Sequence, residues 1–152
     1  MASKKLFITF QHILPQHLLS RIAGFLTNSN NEKLKNLLIK AAQKKFKISL
    51  NEAREEDPKA YKTFNDFFTR KLKPEARPIC TDQNAIISPA DGCASQFGEI
   101  SEGNLIQAKG KTFTLLSLLG NDKDTAEKLK NGQFITIYLS PSDYHRVHLP
   151  YD

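Results

Sequence analysis

At 152 residues the chain has the length of one ordinary domain, a size that buries roughly 70% of the unfolded surface when the domain is complete. Cys80 and Cys93, with no CxxC pair and no signal-peptide pattern, exclude a disulfide scaffold and point to a reducing setting, and the lack of any run of about 18 apolar residues excludes a spanning helix. The net charge of +6 sits in the first third: residues 1–50 hold nine Lys and Arg against one Glu, whereas 51–152 hold thirteen against fifteen acidic residues.

Such an asymmetry points to a polyanionic partner, either nucleic acid or an anionic phospholipid membrane surface. Nucleic-acid arms are Arg-rich with exposed stacking aromatics. Here Lys dominates and Phe, Leu and Ile recur at helical spacing, which favours the membrane and argues against nucleic acid. Leu6, Phe7, Phe10, Ile13 and Leu14 form one amphipathic stripe, and Leu18, Leu19, Ile22, Phe25 and Leu26 repeat it after Pro15, so two short helices are expected with the proline between them or opening the second. Asn30 or Asn31 caps a third helix, with Leu34, Leu38, Ala41 and Ala42 on one face and Lys33, Lys40, Lys44 and Lys47 within roughly one sixth of the wheel. Two readings compete for residues 1–50: a core-facing layer with a solvated lysine face, or helices lying on a membrane. Phe7, Phe10 and Phe25, with almost no acidic residue nearby, favour the second.

Residues 51–78 read as a linker and a short Phe-rich helix. Thr63-Phe-Asn-Asp66 has the form of a capping box with Asp at N3, opening a helix that carries Phe64, Phe67, Phe68 and Leu72 and is ended by Pro74 and Pro78. Residues 79–152 change texture. Alternating runs at 85–88, 94–100, 104–109 and 133–139 are separated by Asp91-Gly92, Glu102-Gly103, Lys109-Gly110 and Asn131-Gly132, which are strand and turn signals. One helical insertion over 114–130, broken at Gly120-Asn121, precedes the last run. The expected class is α+β: N-terminal amphipathic helices followed by a mainly antiparallel β domain that is truncated, leaving an aggregation-prone strand edge at 133–139.

Chemistry concentrates in two places. Asp91 lies in Pro89-Ala-Asp-Gly92, which by itself is an ordinary β-turn and becomes catalytic only where a base faces it. His145 and His148 are the available bases. Three residues apart, they would share one side of a helix but not of a strand, and Pro141 and Pro150 favour a loop or bulged edge. No Asp, Glu or Cys stands at a spacing that completes a metal site, so no metal is expected. Ser88, Ser140 and Ser142 lie near Asp or His without the GxSxG elbow of a serine hydrolase. The plain alternative is a pair of histidines satisfied by structural contacts.

Taken together, Thr63-Phe-Asn-Asp-Phe-Phe68, Ser88-Pro-Ala-Asp-Gly92, Gln107-Ala-Lys-Gly110 and Tyr138-Leu-Ser-Pro-Ser-Asp-Tyr-His-Arg-Val-His148 closely resemble the bacterial phosphatidylserine decarboxylase family. The resemblance runs from Ile13-Leu-Pro15 onward and corresponds to roughly the first half of a family member. It implies a carboxy-lyase that takes phosphatidylserine to phosphatidylethanolamine through a covalent pyruvoyl group. The family makes that group by self-cleavage at the serine of a Leu-Gly-Ser-Thr motif. By motif position Asp91 would be the orienting acid, His148 the base of self-cleavage, and His145 a participant in decarboxylation. The implied location is peripheral, on the cytoplasmic side of the cell membrane.

One departure qualifies the resemblance: none of the seven glycines is followed by serine. The pyruvoyl-forming serine is therefore expected from a missing C-terminal half or second chain, and the alternative is a catalytically silent, peripheral membrane-binding fragment. The sequence leaves homodimerisation open.

Overall fold

The computed structural model describes residues 15–101, 103–108 and 111–150, with the side chains of 104–112 outside the description. The first expected amphipathic helix, around Leu6 to Leu14, and the residues Glu102, Lys109 and Gly110 of two expected turns fall outside it. The class is α+β. Helices α1 (Gln16–Thr27), α2 (Glu32–Phe46) and α3 (Phe64–Phe68) come first, then strands β1 (Cys93–Glu99), β2 (Asn104–Ala108) and β3 (Lys111–Thr114), helices α4 (Leu115–Leu118) and α5 (Lys123–Leu129), and strand β4 (Gln133–Tyr138).

Pro15 opens α1 with φ −70°, a torsion already suited to a helix start. At its other end the Asn28 side chain donates to Gly24 O at 2.8 Å. No residue of α1 is buried, and the stripe of Leu18, Leu19, Ile22, Phe25 and Leu26 stays open, with Phe25 77% exposed. Asn31 caps α2 by accepting from Leu34 N at 3.1 Å, and Lys44 and Lys45 lie in its last turn, where the helix dipole favours them. The helix stops at Lys47, whose left-handed φ of 55° takes it off the expected lysine row.

The inward face of α2 differs from expectation. Lys35, Ile39 and Ala42 are buried, whereas Leu34 and Leu38 are half-buried and Ala41 is exposed. The reason is Lys35, whose Nζ donates to the carbonyls of Lys59 and Tyr61, both at 2.7 Å. A buried ammonium with two fixed acceptors is tolerated, so the helix rolls away from the face that hydropathy alone selects.

The larger core gathers Ile39, Ala42, Ile48, Leu50, Ala53, Tyr61 and Phe67, with Phe64 packed against it. Its residues come from both sides of position 50, and 52–54 pair with 71–73 through Arg54 N to Lys71 O and Lys73 N to Glu52 O. Thr63 caps α3 as its motif predicts, its Oγ1 accepting from Asp66 N at 3.0 Å. The return bond from Asp66 reaches Lys62 N, one residue upstream of the cap. Helix α3 ends at Phe68, earlier than expected. Leu72 bridges to Ala53 instead of extending the helix, and Pro74 opens a 3-10 turn, Pro74–Ala76.

Among the described residues the strands form two antiparallel pairs, β1 with β4 and β2 with β3. The run at 85–88 is extended but forms no strand, and β3 was not anticipated. The β1–β4 ribbon carries an irregularity between Ala94 and Gln96. A smaller core of Ile100 and Leu115, flanked by Leu119, Ala126 and Phe134, lies under the insertion. Gly120 and Asn121, at φ 64° and 70°, make the predicted break between α4 and α5. Gly92 has φ +128°, and a Cβ there would lie 2.4 Å from Tyr138 O, so the end of β4 packs directly on the backbone of the Asp91 turn.

Two expectations follow for urea denaturation of the 152-residue chain. Phe67→Ala should lower stability by about 3–5 kcal/mol, whereas Phe97→Ala, at a site 79% exposed, should stay within about 0.5 kcal/mol; equal losses would contradict the assigned core. Gly92→Ala should cost at least about 1 kcal/mol because it adds both a forbidden torsion and a clash, and a neutral result would mean that the turn does not lie against Tyr138.

Candidate active site

Two separated stretches of chain meet by backbone hydrogen bonds. His148 N donates to Pro89 O at 2.7 Å and Ile87 N to Pro150 O at 3.2 Å, so 87–89 and 148–150 run side by side in opposite directions. Together with the packing of Gly92 on Tyr138, these bonds place the Asp91 turn next to the segment bearing both histidines. Ser88 Oγ closes the turn by donating to Ala90 O at 2.7 Å.

Asp91 is largely shielded, and a single cation holds it. Arg77 Nε lies 2.9 and 3.1 Å from its two carboxylate oxygens, and Arg77 Nη2 lies 2.6 Å from Oδ2, an oriented two-pronged pairing. Arg77 Nη2 also meets Glu52 Oε2 at 3.1 Å. Its hydrogen bonds to Asp91, and secondarily to Glu52, hold the guanidinium more firmly protonated than usual.

The loop after β4 is organised by Asp143. Its Oδ2 accepts from Ser140 N at 2.6 Å, its own N donates to Ser140 O at 2.9 Å, and the Ser140 and Ser142 hydroxyls lie 2.6 Å apart. His145 follows, half-buried, with Nδ1 3.0 Å from Asp143 O. A carbonyl can only accept, so Nδ1 carries a proton, and in the neutral ring Nε2 is the free lone pair. The His145 ring centre lies 4.1 Å from that of Phe68.

His148 is exposed, with Nε2 3.0 Å from Tyr144 Oη and the two rings stacked at 5.6 Å. Among the described residues no hydrogen bond joins Asp91 to either histidine; Arg77 takes the carboxylate and Tyr144 the imidazole. Beside Asp91 opens a cleft of about 630 Å³, walled in part by Arg77, Ser88, Tyr138, Ser140 and Asp143, and neither histidine lines it. Among the described residues no three His, Cys, Asp or Glu side chains converge as metal ligands.

The structure therefore brings the Asp91 turn against the segment that carries His145 and His148 while giving each of the three side chains its own partner. Sequence reasoning assigned no role to Arg77, Tyr144 or Arg70. Tyr144 was within reach of a spacing argument, four residues before His148. The arginines were not, because their partners lie far away in sequence: Arg70 Nη2 donates to Ser142 O at 3.0 Å.

The family model described as phosphatidylserine decarboxylase matches residues 64–152, and one described as PSD matches 6–47. Similar curated proteins carry the name phosphatidylserine decarboxylase proenzyme. The one from Bordetella avium is 50% identical over 146 residues, covering 96% of this chain and 50% of the relative. That from Alkalilimnicola ehrlichii is 55% identical over 137 residues, covering 90% and 48%. That from Francisella philomiragia is 53% identical over 148 residues, covering 97% and 51%. The chain thus spans about half the length of the curated relatives it matches. With a family model over more than half its length and relatives at least 50% identical over nearly all of it, the chain belongs to the phosphatidylserine decarboxylase family.

Proposed function

We propose that this chain is the N-terminal portion of a phosphatidylserine decarboxylase, which removes the headgroup carboxylate as carbon dioxide to leave phosphatidylethanolamine once a remaining half is supplied. The observation that supports the reading is the backbone pairing of 87–89 with 148–150 in a chain of this family, which runs the Asp91 turn alongside the segment bearing His145 and His148.

Loss of carbon dioxide leaves an electron pair that needs a sink, and a pyruvoyl carbonyl is the kind of group that would supply one. The polar cleft walled by Ser88, Ser140 and Asp143 suits an amine and a reacting carbonyl. No glycine here precedes serine, so the group would come from the remaining half. This chain's residues would act around it. A Tyr144 hydroxyl donating to His148 Nε2 leaves the proton on Nδ1, the tautomer a general base needs, and once the incoming serine displaces Tyr144 from that lone pair Nε2 would take the serine's hydroxyl proton. Asp91 would orient that imidazole, and to do so Arg77 must share the carboxylate that it grips with two nitrogens. His145, with Nδ1–H tied to Asp143 O, presents Nε2, which would first take up a proton to form the imidazolium and then deliver that proton to the substrate carbon.

The helices supply the surface for a lipid substrate. Helix α1 buries nothing and exposes five large apolar residues, in a third of the chain with one acidic residue. That combination supports peripheral attachment to anionic phospholipid on the cytoplasmic side of the cell membrane. The second reading is a catalytically silent membrane-bound fragment, since the 152 residues by themselves hold no Gly-Ser bond to cleave.

The chain should sediment with phosphatidylglycerol-containing vesicles at low salt, less so near 0.15 M where the Debye length falls to about 8 Å, and Phe25→Glu should weaken the binding; no sedimentation at low salt would remove the membrane from the proposal. Co-expression with the remaining half of the Francisella philomiragia relative separates the two functional readings. His148→Ala should leave that half uncut by intact mass, whereas His145→Ala should permit cutting and lower decarboxylation by about 10²–10⁴-fold. No cutting even with the unsubstituted chain would favour the silent fragment.

A further inference from the structure

The segment Phe68-Thr69-Arg70 grips the histidine-bearing loop from three directions. Arg70 is 5% exposed, and its Nη2 donates to Ser142 O at 3.0 Å and more weakly to Asp143 O at 3.4 Å. Arg146, the residue after His145, returns the contact by donating from Nε to Thr69 O at 2.8 Å. Between them the Phe68 ring lies against the His145 imidazole. The Asp143 carbonyl is shared, since it meets both Arg70 Nη2 and His145 Nδ1.

Arg70 is a poor choice for stability alone. Its Nε and Nη1 are buried with no partner among the described residues, and burial is the main cause of a lowered pKa. An incompletely paired buried cation is commonly replaced by apolar side chains without loss of stability. What an apolar residue would not supply is a donor fixing the carbonyls of Ser142 and Asp143. That second carbonyl sets which ring nitrogen of His145 carries the proton.

We propose that Arg70 and Arg146 are positioning residues for His145, a reciprocal clamp that fixes the orientation of its ring and the tautomer with Nδ1 protonated. The catalytic use of that ring rests on the function proposed above; the clamp itself does not. It works because the gripping segment is continuous with Phe67, which is fully buried. A group held on a packed element stays within the narrow tolerance that proton transfer demands.

The test is NMR of the histidine side chains in the 152-residue chain. The unsubstituted protein should show His145 ring protons displaced upfield by Phe68, and ring ¹⁵N shifts of an Nδ1–H tautomer. Arg70→Gln and Arg146→Gln should each move these signals toward those of the exposed His17 while leaving His148 unchanged, and Arg146→Lys, which keeps a donor for Thr69 O, should restore most of the displacement. Should Arg70→Gln fail to fold, the half-buried Arg146 decides through its two variants. His145 signals that stay in place in a folded Arg146→Gln protein overturn the clamp. In the co-expressed assembly, both Gln variants should reduce kcat for decarboxylation with KM and self-cleavage preserved. A clamp seen by NMR alongside a decarboxylation rate indifferent to His145→Ala would instead defeat the catalytic reading alone.

Discussion

Phe67 has no exposed surface, and what surrounds His145 is attached to the three residues that follow it. Helix α3 is only five residues long, far below the length at which a helix holds itself together. It persists because Thr63 caps its start and because the Phe67 ring meets Tyr61 edge-on at 5.6 Å within the larger core. Residues 68–70 leave that core with their direction already set. The loop after β4 contains four residues with hydroxyl or carboxylate side chains, Ser140, Ser142, Asp143 and Tyr144, and none of these is fully buried, so it inherits its order from this anchor and from the backbone bonds to 87–89.

Three cations placed away from bulk solvent, or at its margin, show how differently charge is handled in one small chain. Lys35 has two carbonyl acceptors and ties α2 to the segment before α3. Arg77 spans Asp91 and Glu52 and keeps the carboxylate of the turn in a fixed orientation. Arg70 is satisfied at one nitrogen only. In each case the partner lies well outside the local segment, so these residues staple the loops that the helices and strands leave loose. Among the described residues the smaller core of Ile100 and Leu115 shows no comparable staple, and the turns around Gly120 and Gly132 border it.

Local chemistry was legible in the sequence, and long-range chemistry was not. The Asn31 and Thr63 caps, the break at Gly120-Asn121, strands β1, β2 and β4 and the α+β class follow from patterns of a few residues, which is the range over which propensity and capping act. The inward face of α2 was misjudged because hydropathy assigns every lysine to solvent, while Lys35 is drawn inside by two carbonyls far along the chain. Leu72 was assigned to α3 from its spacing, but pairing with Ala53 won. At the site, the motifs identified Asp91, His145 and His148 without saying what each side chain meets. Arg77 emerges only when the backbone brings distant residues together, whereas Tyr144, four residues before His148, lay within reach of a local spacing argument.

The pairing of β1 with β4 also imposes an order of events during synthesis. Gln133 follows Glu99 by 34 residues, so at about 5–20 residues per second β1 waits roughly 2–7 seconds for its partner. During that interval Arg77 can already meet Asp91, but the Gly92 backbone lacks the Tyr138 carbonyl against which it packs. The β2–β3 pair and helices α4 and α5, whose contacts are local, are free to form while β1 waits. Assembly of the cleft is therefore gated by translation: the Asp91 turn and the segment bearing His145 and His148, made seconds apart, meet only when β4 and the residues after it have left the ribosome.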